Sequence, residues 1–176
     1  MFTHRRFIAG AASCFMIGGA GAQAPGPNLG QPIAPAAVAA WDISIGSNGA
    51  GLPTGSGTSK QGEAVYLAKC LACHGEKGVG KPNDRLVGGI GTLASKNPVK
   101  TVGSYWPQAT TIFDYVRRAM PFNEPRSLSN DEVYAVTAYL LHLNGIIVES
   151  DVMNSTSLPQ VSMPNKDGFV PFVPGR

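Results

Sequence analysis

A chain of 176 residues has the length of one domain with some to spare. Charged residues make up 14% of it, against about 25% in an average soluble domain, while 22 Gly and 14 Pro account for about a fifth. A hydrophobic share of 43% suffices for a core, no apolar run approaches the roughly 18–20 residues that span a bilayer, and a net charge of +3 is too small to point to nucleic acid.

Arg5 and Arg6 precede an apolar, Gly/Ala-rich run from Phe7 to Ala20, with Ala20 and Ala22 placed for cleavage after Ala22. Residues 1–22 therefore read as a secretory signal peptide, which predicts a periplasmic mature chain starting near residue 23. Arg5-Arg6 followed by Phe7-Ile8 also resembles a twin-arginine signal, so Sec and Tat export both stay open. Three cysteines cannot all pair within one chain, which excludes a disulfide scaffold. Cys14 lies inside the signal and leaves with it. Losing Arg5 and Arg6 lowers the formal charge from +3 to +1.

Residues 23–57 form a Pro/Gly/Ala-rich N-terminal arm whose one charged residue is Asp42. Trp41, Ile43 and Ile45 are costly to leave in water, so the arm is expected to pack along the folded domain or onto a partner. Thr58 and Gln61 make a T-x-x-Q capping box, and the good helix formers from Lys60 to Lys69, with Ala64, Leu67 and Ala68 at helical spacing, predict a helix.

That helix delivers Cys70-Leu71-Ala72-Cys73-His74, a C-x-x-C-H sequence and the attachment signature of c-type haem. Two thiols three positions apart on a helical turn can each form a thioether with a haem vinyl group. The adjoining imidazole then lies beneath the iron. A thioredoxin-like reading of the pair would need alternating strands and helices, and that pattern is not visible. Gly75, Gly78 and Gly80 predict a loop that folds tightly back, with Pro82 within it.

A helix is predicted from about Ala109 to Ala119, ending at Met120-Pro121. The last helix is marked by a Ser129/Glu132 capping box, Asp131 and Glu132 at its positive end, and Gly145 at its stop. Val133, Val136, Leu140 and Leu143 form its apolar stripe. Candidates for a second axial ligand are Met120, His142, Met153 and Met163. Met120 is preferred because it follows one helix, precedes a proline and comes just before the last helix. Residues 146–176 form an extended C-terminal arm with no convincing helix, whose Val161, Phe169, Val170 and Phe172 again call for cover.

The order of parts resembles the class I cytochromes c. The resemblance covers about residues 58–145 and implies an all-α fold of three to four helices around one covalent haem c, with the two arms outside it. In that family a Gly and an aromatic residue on the first helix cross closely with an aromatic residue on the last; Gly62, Tyr66 and Tyr139 match them. The family's loop proline, whose carbonyl accepts a hydrogen bond from the proximal histidine, would be Pro82. The resemblance implies His74 and Met120 as iron ligands. Tyr105 and Trp106 are candidates for the haem pocket or for bonds to a propionate, and Arg85 is a candidate propionate partner.

A narrower likeness extends over about residues 41–170. Segments 51–58, Arg85-Leu86-Val87-Gly88-Gly89, 100–107, Arg118-Ala119-Met120-Pro121-Phe122-Asn123 and 163–169 resemble the cytochrome subunit of bacterial sulfane dehydrogenase. That subunit pairs with a molybdenum protein of the sulfite oxidase type in periplasmic sulfur oxidation. The resemblance implies a monohaem cytochrome that takes single electrons from a molybdenum-containing sulfite or sulfane dehydrogenase subunit and passes them to a downstream cytochrome c or oxidase, with no catalysis of its own. Longer family members carry two haem domains, whereas this chain has one C-x-x-C-H. A free periplasmic shuttle serving other donors, and a haem enzyme or sensor with an open iron position, are the alternatives.

Overall fold

The computed structural model describes residues 29–170 and 172. The proposed signal peptide, with Cys14, lies outside the described residues. In chain order the structure has α1 (Pro35–Ala39), β1 (Ser56–Thr58), α2 (Ser59–Lys69), α3 (Leu71–His74), α4 (Ala109–Ala119), α5 (Asn130–Leu143) and β2 (Val152–Asn154), with single 3₁₀ turns at Glu76–Gly78 and Leu158–Gln160. The four helices of the segment 58–145 are those the sequence leads one to expect.

Both capping boxes form. Thr58 N–H donates to Gln61 Oε1 at 2.8 Å and Gln61 N–H to Thr58 Oγ1 at 3.3 Å, which settles two of the amides that the first turn of α2 would otherwise leave unpaired. Ser129 and Glu132 exchange the same pair of bonds at the start of α5, at 2.7 and 3.3 Å. At its other end α5 is capped by Asn144, followed by Gly145 at a φ of 69° that a glycine adopts without cost.

α2 does not bury the face its aliphatic spacing suggests. Ala64, Leu67 and Ala68 are exposed, and the residues turned inward are Ser59, Gly62 and Tyr66. Gly62 is the reason. With no side chain it lets α2 lie directly against α5, and the Tyr66 ring then packs 5.4 Å from that of Tyr139. The partners inferred from the resemblance therefore do meet.

The apolar stripe expected on α5 understates its burial. Val133 through Leu141 are all buried, because α5 is the central element, touched by α2, α4, β1 and β2. Phe113 of α4 and Tyr134 of α5, both fully buried, stack with ring centroids 4.4 Å apart at the middle of the core.

The sequence gives no hint of the small sheet. β1 and β2 pair antiparallel, with Ser56 opposite Asn154, Gly57 opposite Met153 and Thr58 opposite Val152. They tie the N-terminal arm to the C-terminal one across α5. Residues 29–42 are exposed throughout, but from Ile43 onward the N-terminal arm packs onto the helical body, as does the C-terminal arm through its buried residues. Asp114 Oδ1 accepts from Ile45 N–H at 3.2 Å, Pro53 O accepts from the Tyr134 hydroxyl at 2.9 Å, and Met153, Leu158 and Met163 are core residues. Trp41, 77% exposed, and Phe172, 89% exposed, are not covered by the chain itself, so of the two expected covers only a partner is open to them.

Because Leu158 is fully buried, Leu158→Ala is expected to lower unfolding stability by about 2–5 kcal/mol. A denaturant titration of the holoprotein measures it; a loss below about 1 kcal/mol would mean that the C-terminal segment is not part of the folding unit.

Candidate haem site

α2 ends at Cys70, whose N–H still bonds Tyr66 O at 2.9 Å, and the chain turns at once into α3. That corner brings Cys70, Cys73 and His74 onto the wall of one cavity of about 440 Å³. Met120 lies on the same cavity. It is the C-cap of α4, with an extended backbone that takes the chain out of the helix while its N–H still bonds Val116 O. Leu86, Val102, Ile112, Val116, Val136 and Leu140 are among its apolar lining.

The residues fit a covalently held haem. The volume lies within the range of cofactor sites, about 300–1,000 Å³, and the walls are apolar with few polar groups. Both thiols are free. His74 Nδ1 lies 2.9 Å from Asp84 O; a carbonyl can only accept, so the ring carries its proton on Nδ1 and keeps the Nε2 lone pair for a metal. A thioether, an imidazole nitrogen and two thiols on one apolar cavity form the donor set that haem c uses.

The acceptor for His74 corrects the sequence-based expectation, which named Pro82. Asn83 N–H bonds Cys73 O at 2.9 Å and Gly80 N–H bonds His74 O at 2.9 Å, and the carbonyl turned to the ring is that of Asp84, two residues beyond Pro82. Pro82, with no N–H to give, sits exposed on the outside of that turn and does not line the cavity.

Arg85 and Trp106 line the cavity as anticipated. Arg85 Nε donates to Val79 O at 3.2 Å and holds the side chain at the rim; Trp106 meets Tyr115 edge-on at 5.6 Å. Tyr105, expected beside Trp106 in the pocket, is not on the wall. Residues 102–105 form a turn, with Tyr105 N–H on Thr101 O at 3.0 Å, and the Tyr105 ring faces the C-terminal segment instead.

The rival ligands are elsewhere. Met153 and Met163 are buried in the core, and His142 Nδ1 lies 3.4 Å from Ile147 O; none of the three borders the cavity.

Sequence reasoning missed the groups that hold the loop. Asn144, just past α5, accepts from Gly88 N–H at 2.9 Å and donates to Leu86 O at 3.3 Å, and Thr101 Oγ1 donates to Gly88 O at 2.7 Å. Together they pin the chain just beyond Asp84. Tyr66, fully buried on the cavity wall, donates to Gly75 O at 2.8 Å and steadies the turn after His74. Burial, with Cys70 adding to it, pushes its phenol up to about 12, so it stays a neutral donor throughout the physiological range. Burial also pushes the Cys70 thiol up to about 11, with Cys73 adding to the effect.

The comparisons agree with this geometry. The family described as cytochrome c oxidase, cbb3-type, subunit III, matches residues 57–140, a span that holds Cys70, Cys73, His74 and Met120. Thiosulfate dehydrogenase of Psychrobacter arcticus is 28% identical over 82 residues, which are 47% of this chain and 25% of that protein, so the chain spans about a quarter of that relative. A chain in the crystal structure of the sulfane dehydrogenase SoxCD from Paracoccus pantotrophus superposes with a TM-score of 0.78 at 41% identity, covering 83% of this chain and 72% of that one. A haem-sized cavity bearing both thiols of the C-x-x-C-H sequence and its histidine, on a fold shared at that identity, places the chain in the c-type cytochromes related to sulfur oxidation, which carry covalently bound haem c.

Proposed function

We propose that the chain is a periplasmic monohaem relay that takes single electrons from a molybdenum-containing subunit oxidising sulfite or a bound sulfane sulfur, and passes them to a downstream cytochrome c or oxidase. The observation that carries this reading is the 41% identity shared with a sulfane dehydrogenase chain over 72% of its length. That the chain is an electron-transfer cytochrome related to that enzyme is established by the same likeness; the donor, the acceptor and the compartment are the proposal.

Haem c supplies reversible one-electron chemistry at its iron. Cys70 and Cys73 would hold the group through two thioethers, while His74 would offer Nε2 and Met120 its sulfur. The Asp84 carbonyl keeps the imidazole proton on Nδ1, which orients the ring and makes Nε2 a better donor. A Met/His pair raises the reduction potential, and the apolar wall excludes water, which disfavours the more highly charged ferric form. Were His74 and Met120 both to ligate the iron, no position would be open for a substrate, and the chain would carry electrons and leave the bond chemistry to its partner.

The test is isolation of the tagged chain from the periplasmic fraction of its native cells, followed by molybdenum analysis and addition of sulfite or thiosulfate. The expected result is a molybdenum protein in the same complex and a haem band reduced on addition of the sulfur compound. Recovery of the chain alone, with no sulfur-dependent reduction, would replace this reading with a free shuttle.

A further inference from the structure

Three contacts converge on Tyr105. Its carbonyl accepts from Asn165 Nδ2 at 2.6 Å, its ring meets Phe169 edge-on at 5.2 Å, and Lys100 Nζ stands 5.0 Å from the ring centroid. Tyr105 does not border the haem cavity, but Lys100 does. Asn165 and Phe169 belong to the C-terminal segment, which the buried Met163 anchors in the core.

The cations of the cavity rim differ in their ties. Lys69 pairs with Glu124 at 3.6 Å and Arg85 is tethered to Val79 O. Lys100 has no carboxylate partner among the described residues, and the Tyr105 ring is what holds its ammonium in place. An exposed lysine loses much rotamer freedom on being fixed, and the attraction of the ring offsets part of that loss. A cation kept on the rim of a cavity whose occupant, haem c, carries two carboxylates has an evident counter-charge.

We propose that residues 163–169 are a strap acting through Tyr105, a positioning residue, to hold Lys100 at the cavity rim as the cationic partner of a haem carboxylate. Pairing there cancels negative charge that would otherwise favour ferric iron. The C-terminal segment thereby helps to set the reduction potential, although none of its residues touches the cavity wall. The inference rests on haem occupancy of the cavity and not on the identity of the electron donor.

Redox titration of the holoprotein tests it, with thermal unfolding measured alongside. Lys100→Met is expected to shift the ferrous/ferric equilibrium about three- to tenfold toward ferric, the size of one charge acting across a protein surface. Tyr105→Leu should shift it in the same direction, Tyr105→Phe, which keeps the ring, should leave it near the parent, and Asn165→Ala should give a smaller shift. The double variant Lys100→Met/Tyr105→Leu should move no further than Lys100→Met alone. An unchanged potential in Lys100→Met overturns the proposal by itself. So does a Tyr105→Leu protein that is less stable at the parent potential, or whose shift adds in full to that of Lys100→Met, since either result makes Tyr105 a purely structural residue. Asn165→Ala, which deletes only one hydrogen bond from the strap, decides the matter if Tyr105→Leu does not fold.

Discussion

Met120→Ala is expected to abolish the sulfur-to-iron charge-transfer band of the ferric protein, to lower the reduction potential by on the order of tenths of a volt, and to let the ferrous protein bind carbon monoxide. The magnitude follows from the span of roughly 0.8 V that axial ligation covers, within which Met/His pairs lie high. Among the described residues Met120 is the one methionine on the cavity, and Met153 and Met163 are locked in the core, so neither can replace it without unfolding the C-terminal segment. His142, bonded to Ile147 O and away from the cavity, is no nearer to doing so. Optical spectra in both oxidation states and a redox titration provide the readout. A spectrum unchanged from that of the parent would exclude Met120 as a ligand. Carbon monoxide binding by the unmodified ferrous protein would instead favour a haem enzyme or sensor with an open position.

The second large effect is on folding. Gly62→Ala would normally add about 1 kcal/mol of helix propensity to α2. Here a Cβ on residue 62 would stand 1.9 Å from Ala135 O, 2.4 Å from Ala135 C and 2.8 Å from Tyr139 Cβ. Two of those atoms are backbone and cannot rotate away, so α2 must move bodily off α5. Overpacking of this kind costs about 1–3 kcal/mol where side chains can yield, and more where they cannot. Sterics therefore win, and a net loss of about 3 kcal/mol or more is expected, read as a lower denaturation midpoint of the holoprotein. Haem content should fall with it, because Cys70 is the C-cap of the displaced helix. A Gly62→Ala protein as stable as the parent would mean that the two helices do not cross at this point.

What could be read from the sequence was what depends on near neighbours in the chain. Thr58 with Gln61 and Ser129 with Glu132 satisfy amides three residues away, and Cys70, Cys73 and His74 act within one turn, so spacing alone identifies them. Met120, preferred for its place between two helices, lies on the cavity that carries Cys70, Cys73 and His74. What escaped depends on how distant segments close. The acceptor for His74 shifts from Pro82 to Asp84 because the Asn83 amide bonds Cys73 O, a loop register that no periodicity encodes. Tyr105 and Trp106 are adjacent, yet the C-terminal segment claims one and the cavity the other. The buried face of α2 is organised by a glycine, which hydrophobic spacing does not weigh, and two strands of three residues are too short to show a period.

The pairing of β1 with β2 brings together residues about a hundred positions apart, and in the antiparallel sense, so that chain arriving before Ser56 and chain departing after Asn154 lie side by side at one edge of the sheet. A unit whose incoming and outgoing ends are neighbours is easily treated as a module. It can be copied in tandem, inserted or excised by rejoining exposed segments while its core stays intact, as is general for domains with adjacent ends. By this route related chains can gain or lose such a unit without having to rebuild a fold. The hairpin-like clasp that closes the body is then also the seam along which such proteins can be lengthened or shortened.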